Sequence, residues 1–90
     1  MATTVRTIHP DEVTNIVDVL SLEENSSYVL ENQGLNPLSI TERDSMPSAT
    51  SDRGHVIPPG GLWYFSVGSD PIYVWRQGTT ETNIVVTEQP

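Results

Sequence analysis

Apolar residues recur at every second position in short runs along this chain, and turn residues break the runs apart. Tyr28-Val29-Leu30-Glu31-Asn32 alternates, with Tyr28 and Leu30 on one side and Glu31 on the other. Leu38-Ser39-Ile40-Thr41-Glu42 alternates again, with Leu38 and Ile40 inward. Between them lies the tight connection Gln33-Gly34-Leu35-Asn36-Pro37, so the two runs predict a β-hairpin. His55-Val56-Ile57 reads as a brief strand ahead of Pro58-Pro59-Gly60-Gly61, the strongest turn signal in the chain. Leu62 to Val67 is the most strand-like run. Gly68-Ser69-Asp70-Pro71 turns it into a second one, Ile72 to Arg76, and Asn83 to Thr87 closes the pattern.

Two stretches do not fit the alternation. In residues 13–22, Val13, Ile16, Val17 and Leu20 fall at helical spacing behind Pro10, Asp11 and Glu12, which suit a helix start. The same segment is rich in Val, Thr and Ile, whose branched side chains favour strands, and the reading adopted is a strand over Ile16–Leu20. Residues 1–12 show no steady period and read either as a tail or as an extended segment that orders on a neighbour. Residues 43–54 hold little that is apolar beyond Met46 and Ala49. They form the longest loop, a length at which loops often carry function.

About six to seven short strands with turns every 8–12 residues, and no alternation with helices, predict an all-β fold. The expected architecture is a small antiparallel β-sandwich or flattened barrel with an extended N-terminal arm. The expected division is an arm over residues 1–15 and a single sandwich domain over 16–90.

Composition narrows the function classes. The chain has 90 residues, four Arg, no Lys, twelve Asp or Glu, and a formal net charge of -8. A body this acidic repels phosphate backbones and anionic membrane surfaces, so neither nucleic acid nor membrane is expected as a partner. Cysteine is absent, which removes disulfides, thiolate chemistry and Cys-ligated zinc. The first residues, Met1-Ala2-Thr3-Thr4-Val5-Arg6, lack the apolar segment of a secretory signal, and no apolar run approaches the ~20 residues of a membrane span. Without disulfides, a domain of this size has a stability margin of only ~5–10 kcal/mol, and assembly onto a larger body is a natural source of further buried area.

Candidate chemistry is thin. His9-Pro10-Asp11-Glu12 gathers three metal-ligand types in four residues, but one His with adjacent carboxylates is a weak ligand set, and no metal or other cofactor is expected. Ser69, His55 and Asp70 contain the residue types of a nucleophilic triad, yet no nucleophile elbow is present and Asp70 before Pro71 reads as a turn residue. Glu23-Glu24 and Glu42/Asp44 read as solvated charges rather than a catalytic pair. No catalytic residue is assigned, and the chain is read as non-enzymatic.

Contact residues are better candidates. Both alternating faces of the aromatic strands are apolar. Leu62 and Tyr64 stand against Trp63, Phe65 and Val67, and Ile72 and Val74 stand against Tyr73 and Trp75. One core takes one face of each strand. The other face either covers a sheet edge or is buried in a subunit contact or ligand surface, with Trp63 and Trp75 as its leading members. Asp52-Arg53-Gly54 ends the long loop, and Arg53 is the residue type that anchors interfaces.

The succession Tyr28-Val-Leu-Glu-Asn32, Gly34, Pro37-Leu-Ser-Ile-Thr-Glu42, Pro47, Gly54-His-Val-Ile-Pro-Pro-Gly60, Pro71-Ile-Tyr-Val-Trp75 and Ile84-Val-Val-Thr-Glu88 resembles small β-sandwich accessory proteins of tailed bacteriophages. The resemblance spans roughly residues 16–88 and rests on fold determinants, with no catalytic motif among them. It implies a structural virion protein, made in the host cytoplasm and carried on the capsid surface. Such a decoration, or cement, protein binds the major capsid protein and stabilises the shell, commonly as a trimer with an arm reaching a neighbour. The expected contact residues are Val5 and Ile8 in the arm, Arg43, Met46 and Arg53 in the loop, and Trp63 and Trp75 on the aromatic face. The alternatives are a tail or fibre module that binds host-surface glycan through Trp63 and Trp75, a neck or head-completion protein, and an unrelated non-viral β domain.

Overall fold

A computed structural model describes residues 3–9, 12–47, 54–76 and 81–89. Two four-stranded antiparallel sheets pack face to face as a small all-β sandwich. The first sheet has the order β1-β8-β3-β6, formed by Thr3–Ile8, Thr82–Gln89, Ser27–Asn32 and Leu62–Ser66. The second has the order β2-β7-β4-β5, formed by Val13–Asn15, Ile72–Trp75, Leu38–Glu42 and His55–Ile57. Each strand sends alternate side chains into the space between the sheets. Leu30, Ile84 and Val86 of the first sheet meet Leu38, Ile40, Ile57, Ile72 and Val74 of the second. Ile8 and Ile16 fill the core from the amino-terminal side, and Tyr28 stacks on Phe65 at 5.7 Å between ring centroids.

Four expectations are corrected. The segment expected as an N-terminal arm, either a tail or extended on a neighbour, contains the edge strand β1, paired within the chain with β8 from Thr3↔Thr87 to Ile8↔Thr82. The eight-residue, Val-rich β8 has β3 on one side, and β1 satisfies its backbone on the other. The residues expected as a strand over Ile16–Leu20 form instead a single helical turn, α1 (Ile16–Val19), after the short β2. Asn15 caps it. Its side-chain oxygen accepts from the Val17 N–H at 3.1 Å, and its amide donates to Asp18 at 3.2 Å.

The expected hairpin of β3 and β4 does not form, because the two strands lie in different sheets and residues 33–37 carry the chain across the sandwich. Asn32 fixes that crossing. Fully buried, it donates through Nδ2 to the carbonyls of Asn36 (2.8 Å) and Ile57 (3.0 Å). Its Oδ1 accepts from the Gly34 N–H (3.1 Å) and the Thr82 hydroxyl (2.9 Å). Its backbone pairs with the Pro58–Gly61 turn, accepting from the Gly60 N–H and donating to the Gly61 carbonyl. Every hydrogen-bonding group of this residue is satisfied across three segments of chain. The fourth correction is the strand count, which is eight among the described residues.

Candidate functional site

No group of three or more metal-ligating side chains occurs among the described residues. His9 is exposed, with Nδ1 3.3 Å from the Glu81 carboxylate, and the Glu12 carboxylate accepts from the Thr14 hydroxyl. Asp11 lies outside the described residues. His55 stands on β5 with its ring 4.7 Å from that of Trp63. Ser69 and Asp70 line a separate cleft of about 390 Å³ beside Asn15 and Leu22, and His55 is not part of it. His55 thus does not share a site with Ser69 and Asp70.

The contact residues distribute differently from expectation. Val5 is exposed on β1. Met46 is exposed, and Arg43 is half-buried with Nε donating to the Ser45 carbonyl at 2.9 Å. Arg53 lies outside the described residues. Ile8, Trp63 and Trp75 do not form an outer contact surface. Ile8 has no exposed surface because its side chain lies in the core. Trp63 pairs with Leu30, sharing its inward side, and packs against the core half-buried.

Trp75 pairs with Val13 and Ser39 on the side of the second sheet away from the core, yet it too has no exposed surface. Gly54 closes over it at a positive φ of 59°. A Cβ there would meet the indole ring and the Ile40 carbonyl, which only glycine avoids.

Three exposed large apolar side chains, Val5, Leu62 and Tyr64, share instead the outer face of the first sheet. Register places Tyr64, Val29, Thr87 and Thr3 in one row across the four strands, and Leu62, Glu31, Val85 and Val5 in the next. Tyr64 and Val5 are about two-thirds exposed and Leu62 about half, with Val29 and Val85 half-buried between them. The rest of the face is hydroxyl and amide, tied by cross-strand bonds. Ser27 and Ser66 meet at 2.8 Å, and the Thr7 hydroxyl donates to Asn83 at 2.8 Å. Among the described residues its one charged side chain is Glu31, whose carboxylate accepts from Gln33 at 3.0 Å. A chain of net charge -8 thus presents a nearly neutral plane about 14 Å across its four strands.

The sequence offers Leu62 and Tyr64 as one of two apolar faces of β6, opposite the tryptophan face, and this is the face that lies outward. Sequence reasoning does not single out Val29 and Val85, although Tyr28 and Leu30 inward put Val29 outward.

Comparison with protein-family models, with curated proteins and with solved structures finds no match for this chain.

Proposed function

We propose that this protein is a structural assembly subunit that works by surface contact and not by chemistry. It acts as a decoration protein on a tailed-phage head, laying the outer face of its first sheet on the major capsid protein. The observation that carries the reading is the neutral plane of Val5, Val29, Leu62, Tyr64 and Val85 on an otherwise acidic body. Charged residues are depleted from the cores of protein interfaces, and exposed apolar patches mark contact sites. The carboxylates elsewhere keep the free protein soluble and away from DNA. The virion assignment itself comes from the sequence resemblance. Both tryptophans that a sugar-stacking shelf would use are buried or turned inward, which supports flat contact over glycan binding.

The test is quantitative mass spectrometry of virions of the source phage, paired with binding of Tyr64→Lys to heads lacking the protein. A copy number near that of the major capsid protein, with binding lost in the variant, is the expected result. A handful of copies per particle would move the protein to the neck or tail, and absence from the particle would overturn the virion reading. Full binding by the variant would remove this face from it.

A further inference from the structure

The free edge of β1 points to a second copy of this chain. β1 runs six residues without a bulge along β8, and among the described residues no strand pairs with its other side. Such an edge presents a row of unpaired N–H and C=O groups that template another strand. The other edges of the sandwich are shorter. β2 and β5 span three residues each, β5 runs directly into Pro58-Pro59, and β6 spans five residues. β1 has no Pro, Gly or Lys to protect it.

Charge selects the partner. β1 carries Arg6 and no acidic residue, although the chain has a net charge of -8, so two copies that meet here bring no carboxylate of this strand against another.

We propose that two copies pair antiparallel through β1 about a twofold axis normal to the sheet, with Val5 opposite Val5 of the second copy. A twofold of this kind keeps like faces together, so residues meet whose numbers have an even sum. Centring on Val5 places Thr3 opposite Thr7, and Thr4 opposite Arg6. Centring on Arg6 sets two guanidinium groups against each other, a like-charge pair that destabilises a ladder. The product is one eight-stranded sheet whose outer plane is twice the size, with the two exposed Val5 side chains covering each other at its centre. This is a twofold pair rather than the threefold assembly the resemblance implies. It rests on the β1 edge alone and stands independently of the shell assignment.

The absence of cysteine makes the test direct. Sedimentation equilibrium of the wild-type protein is expected to give twice the 9.9 kDa of one chain. The association should tighten as salt rises, because the rest of the two acidic bodies repel. Val5→Cys is expected to form a disulfide-linked dimer about tenfold or more faster than Leu35→Cys, since facing residues of paired strands lie within disulfide range. Thr3→Cys should link to Thr7→Cys when the two are mixed and not to itself. A single-chain mass up to millimolar concentration overturns the pairing. So does linkage of Val5→Cys no faster than that of Leu35→Cys. If the Val5 variant does not fold, the wild-type mass and the Thr3–Thr7 pair decide the matter.

Discussion

Replacing Asn32 by Asp changes one NH2 group to oxygen and almost nothing in volume, yet it strikes the most connected polar residue in the fold. The Nδ2 of Asn32 donates to two backbone carbonyls, of Asn36 at 2.8 Å and of Ile57 at 3.0 Å, in a fully buried site. In Asn32→Asp, a protonated carboxyl restores one of those bonds and leaves the other carbonyl facing an oxygen, costing about 1–3 kcal/mol. An ionised carboxylate restores neither and adds an unpaired buried charge, bringing the cost to about 3–5 kcal/mol.

Burial raises the folded-state pKa of the new carboxyl above its unfolded value. The folded state then binds more protons than the unfolded state. The variant is therefore least destabilised below about pH 4, the unfolded Asp value, and loses stability as pH rises above it. At neutral pH the loss is a large part of the ~5–10 kcal/mol margin of such a domain, and the melting temperature should fall by roughly 15–30 °C. Urea denaturation of both proteins at acid and neutral pH, followed by Trp emission, measures it. A variant within about 0.5 kcal/mol of wild type at neutral pH, or one that gains stability as pH rises, would refute the claim that this amide holds the crossing.

Three further outcomes follow from the same geometry. Gly34→Ala drives a methyl group into the Thr82 hydroxyl, which itself donates to Asn32. It should cost about 2–4 kcal/mol, and the loss should shrink in the background Thr82→Ala when the two are combined in a double-mutant cycle. Deleting residues 2–12 removes β1 and the core side chain Ile8, so it should lower the unfolding midpoint sharply in denaturant titration; an unchanged midpoint would mean that β1 contributes nothing to the fold. Trp63→Phe leaves only the fully buried Trp75 to emit, so its fluorescence should be blue-shifted and resistant to acrylamide relative to the wild type, and equal quenching would contradict the burial of Trp75.

Much of the strand pattern was legible from the sequence because a strand reports its two faces every second residue. The alternation at Tyr28–Asn32, Leu38–Glu42 and Leu62–Ser66 comes from local sterics and the one-sided burial of each sheet, and these segments are strands here. The Pro58–Gly61 turn was legible for a similar reason. Gly60 adopts a φ of 79° and the Gly61 N–H closes back on the Pro58 carbonyl at 2.8 Å, which are local demands met by local residues.

The partners of those strands were not legible. A short Gly- and Pro-containing connector serves equally as a hairpin turn or as a crossing between sheets. Residues 33–37 cross because Asn32 finds its four side-chain partners on segments as distant as Ile57 and Thr82.

The candidate surface divides in the same way. Composition determined that the chain is acidic and free of cysteine, because those properties are sums over residues and need no coordinates. Which aromatic faces outward was decided only by tertiary structure. Trp75 lies on the far side of its sheet and is still buried, with Gly54 packed close to its indole ring. Tyr64 is exposed because β6 ends its sheet and its outer side has no covering layer among the described residues. The amino-terminal segment makes the same point. Its Thr and Val residues permit a strand, but only the open edge of β8, brought there by the whole sandwich, makes it one. The period of the backbone determines which side chains share a face, and that period can be read in the sequence. What lies against that face depends on contacts between residues far apart in the chain, and those exist only once the chain has folded.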